Sequence, residues 1–263
     1  MQIFRPTSLD EAVEVRAAHP EALLLAGGTD VMVDINLKHS RPRAVLSLRR
    51  VPELTAMHEA FIGSGVTYSR LVDSHHPALA QAARTVGSPQ IRARGTIGGN
   101  LGTASPAGDA LPFLVAADAE VVLASAESRR AVSIHDFLLG PKINALGSDE
   151  LIVGVGLDPD LPRRQEFAKV GTRQSMVIAV ASVCIIRGPD NTTRVAIGSV
   201  GPTVMRVPRA ETVASKPVVN LDQFQQAVSS ESRPVTDHRA TEEYRRHAVG
   251  VIARRALARI VDR

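Results

Sequence analysis

The stretch GTIGGNLGTASPAGDALP, residues 95–112, decides how this chain is read. It is dense in glycine and small hydroxyl residues and holds almost nothing that fills a core. A second Gly-Gly stands upstream in LLLAGGTDV, residues 23–31. A glycine pair lets backbone N–H groups approach an anion with no Cβ in the way, and it permits turns with positive φ. Thr29, Thr96 and Thr103 add hydroxyl groups beside the two pairs. Read as loops, the two segments suit one task, a clamp on a pyrophosphate from two sides that needs no lysine. For AGGTD alone a plain structural turn is an equal reading. A plain turn does not need a run as long as 95–109.

Other phosphate and catalytic patterns do not fit. The spacing G-x-x-x-x-G-K-[ST] is absent, and AGGTDV is not G-x-G-x-x-G, so neither a P-loop nor a Rossmann fingerprint is present. No His-x-x-x-His and no G-x-S-x-G occurs, which removes the common zinc-protease and hydrolase signatures. The single cysteine, Cys184, excludes an intramolecular disulfide framework and a cysteine-held iron–sulfur cluster within the chain. It lies in an apolar run and reads as a small core residue.

Composition sets wide bounds around this. The chain has 263 residues, 44% of them hydrophobic and 22% charged, which is ordinary for a globular protein with a sizeable core. The net charge of +4 comes from scattered arginines mixed with acids, and there are two Tyr, six Phe and no Trp to stack bases. A solvated surface is the reading, not a nucleic-acid site. No apolar run is long enough for a transmembrane segment. The N-terminal MQIFRPTSLDEAVE lacks the pattern of a signal peptide, so a cytoplasmic protein is expected.

Along the chain, Ser8-Leu-Asp-Glu11 is a capping box that opens a short helix stopped near Pro20. LLLA (23–26), RAVLSL (43–48) and FIGSG (61–65) read as strands, and HPALAQAARTVG (76–87) as a helix. His75 and His76 precede Pro77 and read as exposed loop residues. DALPFLVAADAEVVLAS (109–125) predicts a helix running into a strand, and ELIVGVGL (150–157) a further strand. Beyond Pro159 and Pro162, EFAKVG (166–171), MVIAVASVCIIRG (176–188) and TRVAIGSVG (193–201) read as an antiparallel sheet. Residues 211–235 read as mostly linker. The closing segment 240–263 has Ala248, Ile252, Ala256 and Ile260 at helical spacing and predicts an amphipathic helix packed on its own domain.

Taken together, AGGTD and QIRARGTIGGNLGTASPAGD (90–109) resemble the FAD-binding medium subunits of molybdenum hydroxylases, the carbon monoxide dehydrogenase and xanthine dehydrogenase group. AIGSVGPT (196–203) and DHRATEEYRRHAVGVIARRAL (237–257) extend the resemblance over nearly the whole chain. It implies an α+β fold: a two-part FAD-binding α/β domain of the PCMH type over 1–162, with parts 1–55 and 56–162, then a domain of antiparallel sheet plus helices over 163–263. It assigns to FAD the residues Leu24, Leu25, Ala26, Gly27, Gly28, Thr29, Asp30 and Val31, and Thr96, Ile97, Gly98, Gly99 and Asn100, with Thr103 close by. Asp109 matches an acid that contacts FAD, although an acid at a helix start is also a plain N-cap. Ile152 matches a position near the flavin ring, and Lys169 a lysine on its isoalloxazine side, a snorkelling surface lysine being the plainer alternative.

The resemblance implies an oxidoreductase of several chains. A molybdopterin-binding large subunit and a 2Fe-2S iron–sulfur subunit would accompany this one, as a dimer of heterotrimers. Its FAD would pass electrons to NAD+, a quinone or oxygen, with no catalytic side chain and no metal ligand of its own. A free-standing FAD-dependent oxidoreductase of the same broad fold is the alternative. Two departures bear on the flavin. Gln174 to Ile178 stand where some relatives place a shielding aromatic, and Val86 stands where some place Phe.

Overall fold

The computed structural model describes residues 1–262. Its first element, β1 (Gln2–Phe4), leads to α1 (Leu9–Ala18). The Ser8 hydroxyl accepts from the Glu11 amide at 3.2 Å, while the Glu11 carboxylate reaches back to the Thr7 amide at 2.6 Å. The expected capping box is present, shifted by one residue at its return bond. β2 (Leu23–Leu25) runs through Gly27-Gly28 into α2 (Val31–Asn36), and β3 (Ala44–Ser47) lies between β1 and β2 in a three-stranded parallel sheet.

A second sheet has the order β4-β5-β10-β6-β7, built from β4 (Met57–His58), β5 (Phe61–Gly63), β6 (Glu120–Ala124), β7 (Arg129–Ser133) and β10 (Leu151–Gly156). Between its strands come α3 (Tyr68–Leu71), α4 (Pro77–Thr85), α5 (Pro89–Arg92), α6 (Ile97–Thr103) and α7 (Leu111–Ala116). After β7 follow α8 (Ile134–Phe137) and a small hairpin of β8 (Leu138–Gly140) and β9 (Ile143–Asn144). The glycine-rich segment is thus not a loop throughout. Residues 97–103 are helical, capped by the Thr96 hydroxyl, which accepts from the Gly99 amide at 3.0 Å.

The C-terminal part is an antiparallel sheet of β11 (Arg164–Val170), β12 (Ala181–Arg187), β13 (Thr193–Gly198) and β14 (Met205–Arg206). Its side chains alternate with period two. Cys184, Ile186 and Ala196 join the core of the first part, beside Phe113, Leu114 and Leu79. Val183, Ile185, Val195 and Ile197 join a separate core with α9 (Pro208–Ala214), α10 (Leu221–Glu231) and α11 (Glu242–Val261). The sheet is a middle layer that both parts use.

Three readings are corrected. Residues 211–235 are not mostly linker: α10 is capped by Asn220, which accepts from the amides of Asp222 and Gln223, and it buries Phe224 and Val228 completely. Strand β12 begins at Ala181, not Met176, because the chain turns through a left-handed Met176 (φ 51) before pairing. His76 is buried, its Nε2 within 2.9 Å of the Glu59 carbonyl and its ring 5.3 Å from that of Phe113, whereas His75 is exposed. Burial pushes the His76 imidazole below its ordinary range, so it is a neutral core group.

Candidate functional site

The site is assembled from the end of β2, the start of α6, one residue of β10 and one of β11. The turn after β2 comes first. Gly28 has φ +81, a conformation that favours glycine, and Gly27 lies so close to the Arg94 carbonyl that a Cβ would stand 2.0 Å from its oxygen. The amides of Gly27, Gly28 and Thr29 have no protein acceptor among the described residues. Three free donors in a row at a helix start are an anion-binding concavity. Strand β2 beside them is half-buried throughout, so Leu24 and Leu25 present apolar surface to the same space.

The second glycine pair behaves differently. The Ile97 amide donates to the Val66 carbonyl (3.1 Å), Gly98 to Ser64 (2.9 Å), Gly99 to the Thr96 hydroxyl and Asn100 to the Thr96 carbonyl (3.1 Å). All four donors are spent on the protein. Gly98 is required because a Cβ would meet the Ser64 backbone oxygen at 2.7 Å, whereas a Cβ on Gly99 meets only the Thr96 hydroxyl at 3.3 Å. A clamp made of amides from both glycine pairs is therefore not what the backbone offers: one side supplies donors, the other a smooth, tightly anchored wall.

Contacts tie the expected residues into one chain. The Thr103 hydroxyl donates to Asp30 Oδ2 at 2.8 Å, joining the two glycine segments. Gly102 faces the Ile152 side chain, which sits at a register shift between β10 and β6. The Asn100 side chain packs on Gly108, and its Oδ1 is buried with no protein partner. Asp109 and Lys169 form an ion pair at 2.6 Å, their side chains 9% and 6% exposed, and Lys169 also donates to the Thr85 carbonyl at 3.3 Å. Lys169 does not snorkel, and Asp109 caps nothing, the cap of α7 being Ala110. Burial pushes the Asp109 carboxyl up and Lys169 pulls it back. Asp109 Oδ1 stays buried without a partner.

Tyr68 belongs to this site and was not legible in the motifs. Its amide donates to the Gly95 carbonyl at 3.0 Å, and its ring edge and the Thr29 hydroxyl both flank Gly95. The phenol is buried, and burial first, then the nearby Asp109 and Asp30 carboxylates, raise it well above its ordinary range, so it stays a neutral donor. A sequence signal existed: one of only two tyrosines stands in GVTYS, where it opens a short helix.

Beside Lys169 opens a cavity of about 430 Å³ lined by Arg84, Gly87, Arg92, Arg173, Met176 and Val177 among others, with no aromatic side chain. Val86 is half-buried next to it, and the loop 172–178 forms its rim. Neither position supplies a ring that faces a flavin.

Free donors at one end, orphaned buried acceptors at Asn100 and Asp109, and apolar surface between them are groups that could hold an extended, phosphate-bearing cofactor. The comparisons with known proteins name that cofactor's class. Residues 1–159 match the family described as the FAD binding domain in molybdopterin dehydrogenase, and residues 166–260 match the CO dehydrogenase flavoprotein C-terminal domain. The chain belongs to this family of FAD-binding chains of molybdenum hydroxylases. It is 36% identical over 194 residues to the nicotinate dehydrogenase FAD-subunit of Eubacterium barkeri, a match spanning 68% of this chain and 66% of that one. It is 30% identical over 281 residues to caffeine dehydrogenase subunit beta of Pseudomonas sp. (strain CBB1), spanning 99% and 94%. Its fold is similar to a chain of carbon monoxide dehydrogenase from Hydrogenophaga pseudoflava, with TM-score 0.90, 27% identity, and 98% and 96% of the two chains covered.

Proposed function

We propose that this chain is the electron-transfer flavoprotein of a three-part molybdenum hydroxylase, taking electrons from iron–sulfur clusters and passing them to an external acceptor. The observation that carries the reading is the pairing of free amides at Gly27, Gly28 and Thr29 with the orphaned oxygens of Asn100 and Asp109. A pyrophosphate accepts hydrogen bonds and donates none, so it suits the amides and the Thr29 hydroxyl. Ribose and ribityl hydroxyls donate, so they suit the two oxygens. Both halves of the cofactor's chemistry find the complementary group.

In this reading Leu24 to Val31 hold the phosphate end. Thr96 to Asn100 form the wall against which the cofactor lies, with Thr103 locking that wall to Asp30. Ile152 supports the wall from β10. The Asp109–Lys169 pair closes the far end, where a fixed ammonium favours negative charge on a reduced ring. FAD itself supplies the redox chemistry, storing two electrons from one-electron donors. This chain's side chains bind, orient and set the local field. The molybdopterin cofactor sits on a large subunit and the 2Fe-2S clusters on a small one, as a dimer of heterotrimers in the cytoplasm, with residues 1–162 the FAD-binding domain and 163–263 the C-terminal domain.

The test is gentle purification of the native protein followed by an absorption spectrum and a gel. Flavin bands with two companion chains, one bearing iron–sulfur absorbance, are the expected result. Flavin in a solitary chain with its own turnover would replace this reading with a free-standing flavoenzyme, and a preparation that stays colourless after added FAD would remove it altogether.

A further inference from the structure

Lys169 and Asp109 reach the site from different parts of the chain, so groups outside the pair have to fix the 2.6 Å between them. Lys169 stands in β11 opposite Ser182 of β12, and Ser182 stands opposite Gly198 of β13. Residues in one cross-strand row share a face of the sheet. A Cβ on Gly198 would stand 2.5 Å from the Ser182 hydroxyl and 3.3 Å from the Pro106 carbonyl oxygen. The turn before Asp109 therefore packs against the end of this row. The amide of Ser199, the next residue in the chain, donates to that same Pro106 carbonyl at 2.8 Å. The row carries Lys169 at one end and bears the Asp109 turn at the other.

The β12–β13 ladder ends at Ser182 and Gly198, and beyond it a side chain takes over. Arg245, in the first turn of α11, donates through Nη1 to the Val180 carbonyl at 2.8 Å and to the Ser199 carbonyl at 2.9 Å. Its Nη2 donates to Asp237 Oδ1 at 2.7 Å. The Val180 amide in turn donates to the carbonyl of Val170, the residue after Lys169, at 2.8 Å. One guanidinium thus grips the two backbone segments that lead to the two partners of the ion pair. The Arg245 side chain is 4% exposed and Asp237, which pairs with it, 29%. A buried cation costs free energy to keep, and an apolar side chain of similar volume serves packing as well. What an apolar side chain lacks is the planar fork, which reaches two carbonyls and a carboxylate at once.

We propose that Arg245 is a positioning residue for the Lys169–Asp109 pair, and through the pair for the field on the reduced cofactor, an inference that rests on the function proposed above. The attraction between an ammonium and a developing negative charge falls with distance, and the change per ångström is largest where both are shielded from water. With Arg245 in place, the end of β12, the end of β13 and the 105–109 turn move as one unit. Lys169 and Asp109 then keep one separation and one place beside the cofactor. Without the fork those segments are joined only by single backbone bonds, and the pair loosens.

The test compares two buried arginines that hold opposite ends of β12. Arg187, 3% exposed, donates to the carbonyls of Asn191, Ala214 and Lys216 at the end of the strand far from Lys169. Arg245→Lys and Arg187→Lys each keep the charge and lose the fork, so both are expected to lower Tm. In the native protein loaded with FAD and poised at a fixed potential, Arg245→Lys is expected to lower the ratio of reduced to oxidised flavin about tenfold, and Arg187→Lys to leave it unchanged. In flavin-free protein the amides of Gly108, Val180 and Ser199 are expected to exchange faster in Arg245→Lys than in Arg187→Lys. Asp237→Ala frees the same guanidinium from its more exposed side and is expected to shift the ratio in the same direction, which keeps the test open if Arg245→Lys does not fold. A wild-type flavin ratio in the Arg245 and Asp237 variants overturns the proposal, as does an equal shift in Arg187→Lys. Wild-type protein that takes up no FAD overturns the proposed function instead, and the exchange comparison on the flavin-free chain still decides whether Arg245 holds the pair.

Discussion

The two glycine pairs have nearly the same composition and opposite jobs. At Gly27-Gly28 the backbone turns with its donors free. At Gly98-Gly99 the amides of residues 97 to 100 are used within the protein, and the absent Cβ of Gly98 lets α6 lie against Ser64. The lesson is that a glycine-rich motif does not by itself say whether it offers amides or only closeness. What decides is where each N–H finds its acceptor.

The largest effect that breaks this comparison is expected from Gly27→Val and Gly98→Val. Each added side chain meets backbone, the Arg94 carbonyl or Ser64, and not a ligand. Both are expected to destabilise the chain by at least about 3 kcal/mol, visible as insoluble protein or a much lower Tm even without cofactor. Gly99→Val is the sharpening control, since its Cβ meets only a hydroxyl. It should fold and lose flavin; normal flavin content there would mean that the wall does not face the cofactor.

Lys169→Met comes next. It leaves the buried Asp109 carboxylate unpaired, which typically costs about 3–5 kcal/mol. Part of that cost is relieved if Asp109 takes up a proton, so the variant's Tm should recover as pH falls from neutral. A Tm that is flat with pH would place the carboxylate in water.

Tyr68→Phe removes one hydroxyl and keeps the ring. If that hydroxyl donates to an anionic part of the cofactor, FAD affinity should fall about tenfold with Tm of the apo-protein unchanged, by fluorescence titration and a thermal melt. Equal affinity would return the phenol to a packing role.

The smallest effect lies away from the site. Asp118, in a left-handed turn after α7, accepts from His135 (2.8 Å), Arg206 (2.6 Å) and Arg194 (3.1 Å), the two arginines coming from β14 and β13. Burial pushes its carboxyl up, but the hydrogen bonds and charges win and hold it at about 2. A depressed carboxylate stabilises the fold above its unfolded value of 3.8 and loses that contribution as pH falls toward about 2. Its side chain is 44% exposed, so the effect is modest. In Asp118→Asn the stability should change less between those pH values than in wild type.

Much of the arrangement was legible in the residues. The apolar, β-branched runs in 176–188 and 193–201 pointed to strands, the Ser8 and Glu11 spacing to α1, and the order of AGGTD before TIGGN…ASP…D to the family. The helix α10 was hidden by its polar surface, although Leu221, Phe224 and Val228 hold helical spacing. His76 looked like a loop residue because adjacency to His75 and Pro77 says nothing of Glu59 and Phe113, which approach from elsewhere in the chain.

The sequence by itself determined the family, the class of cofactor and the absence of cysteine ligands for a cluster, because these follow from residue types at fixed spacing. Tertiary structure alone decided which glycine amides are free, that Asp109 answers Lys169 and not a helix end, and that Tyr68 stands among Thr29, Asp30 and Asp109. Each of these is a pairing between distant segments, and a hydrogen bond or an ion pair is set by distance in space, which local spacing does not encode.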